Sequence, residues 1–210
     1  MQTVDFYQSV FPSCVWRVPH TEEKRFFLTF DDGPIPEVTP WVLDILKEFN
    51  VKAHFFCVGD NVRKHPEIYQ RILDEGHRVG NHTFNHVNGW KLRSSNYLRN
   101  IIKAKRYIQS NLFRPPYGKL IRPQIKWLQK EGYTIVMWDV LTKDYDAKIS
   151  PQECLNRSLK AKEGSIILFH DSLKAETNLR YALPKFIESK LSEGFHFGLI
   201  SDETKPNQIN

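Results

Sequence analysis

The stretch TFDDGP, Thr29 to Pro34, ends a run of aromatic and aliphatic residues (Phe26, Phe27, Leu28, Phe30) with two adjacent carboxylates and a Gly-Pro turn. Successive side chains of a strand point to opposite faces, so Asp31 and Asp32 leave Phe30 in different directions before the turn carries the chain outward. Like charges side by side repel, which makes the pair a liability unless each acid has its own task. Working outward from Arg25 to Asp31, β-rich runs recur at Val51 to Val58, His77 to His82, Leu112 to Pro115, Tyr133 to Asp139, Ser165 to His170 and Phe195 to Ile200. Helical patterns lie between them. Thr39 to Phe49 carries Val42, Leu43, Ile45 and Leu46 on one side, and Tyr97 to Asn111 places Leu98, Ile101, Ile102, Ala104 and Ile108 near a helical period. Pro66, Pro123, Pro151 and Pro184 stand near expected helix starts, and Gly76, Gly132 and Gly194 follow helices as stops. The alternation predicts an α/β fold with seven parallel strands and outer helices, either open or closed into a barrel.

Composition bounds the class of protein. With 210 residues, 40% hydrophobic and 26% charged, the chain reads as one ordinary globular domain. No apolar stretch reaches the ~18 residues a membrane span needs. The opening MQTVDFYQSVFPSC lacks the basic and apolar regions of a signal peptide, so the expectation is a cytoplasmic protein. Cys14, Cys57 and Cys154 are odd in number and form no CxxC pair, which predicts free thiols rather than a disulfide framework or a zinc knuckle. The net charge of +6 is unevenly placed, because Gly76 through Lys130 holds twelve Lys and Arg and no acid. Arg99, Lys103 and Arg106 form a stripe on one expected helix, while Lys91, Lys119 and Arg122 fall in loops nearer the rim. Positive potential there would draw in an anionic glycan or a phosphate-linked sugar precursor; a plain solvated face is the alternative. Nucleic acid fits less well, since no binding motif or repeated stacking array is present.

In βα architectures functional side chains gather at the C-terminal ends of strands. That rule selects Asp31 and Asp32, His82, Arg114, Asp139 and Asp144, and His170 with Asp171. In GNHTFNH, Gly80 to His86, a helical turn beginning at Thr83 would point His82 and His86 the same way, the spacing by which two imidazoles share a metal. Asp32 can supply a third, oxygen ligand, and zinc, cobalt, nickel or iron suit such a set alike. Asp31 is then free to take a proton from water. In FRPPYG, Phe113 to Gly118, Arg114 can hold the Asp31 carboxylate, and Tyr117 is the first residue after two prolines with an amide proton to offer an oxyanion. ILFHD, Ile167 to Asp171, ends a strand with His170, suited to protonating a leaving amine, and the acids of WDVLTKDY, Trp138 to Tyr145, can orient that imidazole and raise its pKa. Trp90, in HVNGWKL, can stack on a sugar ring or pack against the neighbouring helix. His54, His65, His77 and His196 lack such company and are read as structural or surface residues.

In this order the motifs resemble the polysaccharide deacetylases of carbohydrate esterase family four, which remove N- or O-acetyl groups from glycans. TFDDGP, NHTFNH, FRPPYG, the Asp144-Tyr145 pair and ILFHD match the family's five signature regions from about Arg25 to Asp171. The resemblance implies a distorted, incomplete (β/α) barrel of seven strands and one divalent metal, zinc ahead of cobalt, nickel or iron. It also implies Asp31 as base, Asp32, His82 and His86 as metal ligands, Arg114 steadying Asp31, and His170 as an acid tuned by Asp144. Leu168 and Tyr145 would border a pocket for the acetyl methyl group. Two departures bear on that pocket: Tyr145 stands where the family usually has tryptophan, and Leu141 where it commonly has an aspartate. The expected organisation is an N-terminal extension packed on the domain at 1–24, a catalytic domain at 25–201 and a tail at 202–210. The expected function is metal-dependent removal of N-acetyl groups from an N-acetylated sugar or glycan of the chitooligosaccharide or peptidoglycan type. Rival readings are a hydrolase of O-acetyl esters or other small amides, and a glycan-binding protein without turnover. Asp31 and His170 speak against the last, since a pure binder has no use for a paired base and acid.

Overall fold

Seven strands form one continuous parallel path, and an eighth pairs beside it. The structure is a computed structural model, and the residues described are 8–18, 24–201 and 204. In chain order the strands are β1 (Arg25–Asp31), β2 (His54–Cys57), β3 (Arg78–Asn81), β4 (Leu112–Phe113), β5 (Thr134–Ile135), β6 (Val140–Leu141), β7 (Ile166–His170) and β8 (His196–Phe197). The helices are α1 (Thr39–Glu48), α2 (Gly59–Lys64), α3 (Pro66–Asp74), α4 (Ser94–Lys105), α5 (Arg122–Lys130), α6 (Pro151–Ser158) and α7 (Glu176–Ser192). The sheet runs β5-β4-β3-β2-β1-β7-β6, with β8 parallel to the start of β1. It is the distorted, incomplete barrel expected.

β1 is central, and its sequence explains why. Beyond Arg25 every residue is buried, as in a strand covered on both faces. Phe26, Leu28 and Phe30 join the core beneath the helices with Val42, Leu43 and Leu46 of α1 and Leu179, Leu183 and Phe186 of α7. Phe27 faces the other way and packs with Phe56, Val136 and Ile166. Alternation therefore puts Thr29 and Asp31 on the Phe27 side, inside the curl of the sheet.

Between the β5 and β7 regions the N-terminal segment bridges the sheet: the Val15 amide donates to Ile135, the Met137 amide donates to Val15, and the Val18 amide reaches Gly164. Of the segments expected at 1–24 and 202–210, only residues 8–18, Lys24 and Thr204 lie among those described. All three cysteines are buried free thiols. Among the described residues no helix is long and apolar enough to cross a membrane.

Three expectations need correction. The expected strand run ends at Asp139, yet β6 begins directly after it, because two residues suffice to pair with β7 at Ile167 and Leu168. Pro184 does not open a helix but lies inside α7. The helix expected at Tyr97 to Asn111 begins earlier, at Ser94, and ends at Lys105, so Arg106 is its C-terminal cap rather than the last member of a helical stripe. Gly76, Gly132 and Gly194 do follow helices, with φ of 77°, 79° and 78°.

Candidate active site

The site is built on the buried pair Arg114 and Asp31. Nη1 of Arg114 donates to Asp31 Oδ1 and to Thr29 Oγ1, both at 2.8 Å; Nε reaches the Val136 carbonyl at 3.1 Å and Nη2 the Met137 carbonyl at 2.8 Å. Its guanidinium lies 4.0 Å over the Phe56 ring. No other side chain offers a planar fork that meets four acceptors and an aromatic face at once. Both partners are buried, so removing either would strand a charge, at a cost of ~3–5 kcal/mol.

The Gly80 to His86 loop is not helical, contrary to expectation. The Thr83 amide donates to Asn81 Oδ1, and the Phe84 and Asn85 amides share Asn100 Oδ1 on α4. Thr83 and His86 both take left-handed conformations, with φ of 65° and 53°. These turns bring the two imidazoles together by another route, with ring centres 5.1 Å apart. His82 Nδ1 meets the Arg114 carbonyl at 2.8 Å, which turns Nε2 toward Asp31 Oδ2 (3.7 Å) and Asp32 Oδ1 (3.8 Å). His86 Nε2 lies 3.1 Å from Asp32 Oδ1.

Asp32, His82 and His86 thus offer one oxygen and two nitrogens within 4.8 Å of one another. The residues fit a divalent ion. Asp32 Oδ1 is buried and makes no aligned hydrogen bond, although His86 is close, so it lacks the partner a buried carboxylate oxygen needs. Burial pushes His82 down to about 4, only partly offset by Asp31 and Asp32, which leaves its imidazole neutral as a ligand must be. For Asp32, burial acts upward but is outweighed by the contact with His86 and the fields of His170 and His82, holding the carboxyl well below its usual range.

His170 ends β7. Its Nδ1 is 2.8 Å from Asp144 Oδ1, and its amide donates to Asp144 Oδ2 at 2.6 Å. Burial lowers its proton affinity, but the charge and hydrogen bond of Asp144, aided by Asp32 and Asp31, raise it to about 9. Asn178 of α7 donates to the Asp144 carbonyl. Tyr145, half exposed, stands edge-on to the His170 ring at 4.9 Å, and burial raises its phenol, keeping it neutral. Leu168 is buried one turn of the pleat below His170 and pairs with Leu141.

Tyr117 is 60% exposed at φ 60°, its ring 4.7 Å from that of His86. The Gly118 and Lys119 amides donate to Pro115 and Pro116. Trp90 is 52% exposed; its Nε1 donates to the Leu120 carbonyl at 2.8 Å, and Lys119 Nζ sits 4.0 Å over its ring. Asp139 does not join the site. It accepts from Ser165 Oγ and the Ile166 amide and pairs with Arg17, at the start of β7 rather than its end.

Three contributors carried no role in the sequence reading. Thr29 was detectable as the one uncharged polar residue of RFFLTF, and Asp171, selected with His170 by the strand-end rule, had no task of its own. Asp171 is buried, accepting from the Gly33 amide at 3.1 Å and Thr39 Oγ1 at 2.6 Å, and burial raises it to about 8. Asn61, whose side chain donates to the Asp32 carbonyl at 2.8 Å, had no sequence signal.

A curled parallel sheet with an Asp-His-His cluster on one side and an Asp-paired histidine on the other defines a hydrolase-type site. The family model described as "Polysaccharide deacetylase" matches residues 19–136, more than half of the chain, and the chain belongs to that family. It is 41% identical over 152 residues (69% of this chain) to one peptidoglycan-N-acetylglucosamine deacetylase of Bacillus cereus and 33% identical over 194 residues (89% of this chain) to another. The chain spans about half of the first of these (55%) and nearly all of the second (91%). Among solved structures, it superposes with a TM-score of 0.84 and 35% identity on a peptidoglycan N-acetylglucosamine deacetylase in complex with 4-naphthalen-1-yl-N-oxidanyl-benzamide, covering 92% of this chain and 93% of that one.

Proposed function

We propose that the chain removes the N-acetyl group from N-acetylglucosamine units of a peptidoglycan- or chitooligosaccharide-type glycan, releasing acetate. The observation that carries this reading is the split of two adjacent acids, Asp31 toward Arg114 and Asp32 toward His82 and His86, with the His170–Asp144 pair at the neighbouring strand end. Asp32, His82 and His86 would hold one divalent ion, zinc first, with cobalt, nickel or iron as alternatives. Such an ion, when bound, polarises the acyl oxygen and acidifies water.

The chain's own residues do the rest. Arg114 occupies Asp31 Oδ1 and leaves Oδ2 directed toward His82, so Oδ2 takes the proton as the water oxygen bonds to the acyl carbon. The Tyr117 amide donates to the oxygen on which negative charge develops. His170 enters the reaction protonated, because Asp144 holds its Nδ1–H and raises its affinity, and Nε2 gives its proton to the amine as the carbon–nitrogen bond breaks. A poor leaving group such as an amine needs that proton, which favours amide over ester hydrolysis. Leu168 and Tyr145 border the acetyl methyl, and Trp90 offers a face to a sugar ring.

Exposed Lys91 and Arg122, with Lys119 beside Trp90, favour a glycan that carries acidic groups. The specificity constant for such a substrate should fall as salt rises, and that for a neutral chitooligosaccharide should not. The central test is acetate release from acetylated chitooligosaccharides and peptidoglycan fragments, abolished by a chelator and restored by zinc. Glycan binding without acetate release would instead favour a binding protein.

A further inference from the structure

Asp31 and Asp32 are consecutive yet serve different partners, and that split rests on three residues of backbone. The Asp31 carbonyl accepts from the Asp171 amide at 3.1 Å, and the Gly33 carbonyl from the Val58 amide at 2.9 Å. The Gly33 amide donates to Asp171 Oδ1 at 3.1 Å, and the Asp32 carbonyl accepts from Asn61 Nδ2 at 2.8 Å. Asp32 has a φ of 86°, a left-handed value that a residue with a side chain keeps only where its surroundings impose it. At Gly33 a Cβ would stand 1.9 Å from Asp171 Oδ2, so that carboxylate and the bare glycine interlock.

We propose that Asn61 is a positioning residue for the metal site, holding Asp32 in its left-handed conformation so that the carboxylate meets His86 and His82, with Asp171 as a second clamp on Gly33. This rests on the reading of Asp32, His82 and His86 as metal ligands. Asn61 lies in the short helix α2, which follows β2, and its side chain makes this one hydrogen bond among the described residues. It is the sole side chain among them that reaches the Asp32 carbonyl; the other clamps act on the residues before and after. Without that donor the Asp32–Gly33 peptide can rotate toward an ordinary negative φ, and the carboxylate swings away from His86, now 3.1 Å distant. Partners of this outer kind typically set metal affinity within a factor of ~10–100.

The test is zinc titration by calorimetry on the full chain, with the visible spectrum of the cobalt-loaded protein as a second readout and melting of the metal-free protein as control. Asn61→Ala and Asn61→Asp, the latter keeping the volume and losing the donor, should each weaken zinc ~10–100-fold and alter the cobalt spectrum, with the metal-free protein still folded. Asp171→Asn, which retains an acceptor for Gly33, should bind zinc better than Asp171→Ala. Affinity within twofold of the unmodified chain in both Asn61 variants overturns the proposal. So does a loss confined to Asn61→Ala, which would assign the effect to volume. Equal behaviour of the two Asp171 variants removes the second clamp. Failure of the unmodified chain to bind zinc overturns the metal site itself, whereas equal binding by all variants overturns only the positioning role.

Discussion

His82, buried, and His170, partly buried, both stand at the ends of parallel strands, yet their environments drive them in opposite directions, down to about 4 and up to about 9. The difference lies in what faces Nδ1. His82 meets a backbone carbonyl, which orients the ring but adds no full charge, so burial prevails. His170 meets a carboxylate of its own, Asp144, fully buried and fixed by the His170 amide and Asn178. One fold thus sets up a neutral imidazole and a charged one from the same residue type, largely by changing the acceptor at Nδ1.

The largest effects should come from breaking each side outright. His82→Ala should abolish zinc binding, whereas Asp31→Asn should bind zinc normally and lose ~100-fold or more in deacetylation rate. Calorimetry and acetate release measured on both variants check that division, and full activity in metal-loaded Asp31→Asn would refute it.

A smaller effect comes from making His170 resemble His82. Asp144→Asn should drop the His170 proton affinity from about 9 to the ordinary histidine range or below, seen by NMR titration, and move the alkaline limb of the pH–rate profile down with it. Stability should follow with a definite sign. Because the folded state raises His170, its contribution is complete below the ordinary histidine value of ~6.5 and is lost as pH rises through about 9. His82 is lowered, so its contribution is present above ~6.5 and is lost as pH falls toward about 4. In the metal-free protein Asp144→Asn should therefore flatten the part of the alkaline decline in melting temperature that His170 contributes, leaving the acid side unchanged.

The smallest effects lie at the rim. Tyr145→Trp should change the preference between acetyl and longer acyl groups a few-fold, since it alters only the wall beside His170. Trp90→Ala should raise the Michaelis constant for oligosaccharides about threefold to tenfold, the scale of one aromatic contact. Unchanged kinetics with a lower melting temperature would assign Trp90 to its bond with Leu120.

Much of the site was legible because Asp31, His82, Arg114 and His170 each end or directly follow an expected strand. TFDD, GNH, FRPP and LFHD announce a strand end and a functional group within the same few residues. What escaped depended on backbone torsion or distant packing. His82 and His86 converge through left-handed Thr83 and His86, which spacing alone renders as a helix. Asp139 follows an apolar run yet lies at the wrong end of its neighbour, because β6 begins immediately after it. Pro184 inside α7 looks in sequence like any helix-opening proline, and Asn61 in VGDN like any polar helix residue.

The placement of β1 has a consequence for synthesis. Its contacts to β7 and the following turn, Thr29 with Ile167 and Gly33 with Asp171, join residues 138 positions apart. At ~5–20 residues per second, a ribosome needs about 7–28 s to deliver the second partner after the first. Throughout that interval β1 can pair with β2 while its other edge, flanked by Phe27, Leu28 and Phe30, stays open to any strand nearby. The nascent chain is therefore most exposed to misassembly at the segment that later divides its two acids, and the proposed site is assembled only after Asp144 and His170 have both emerged.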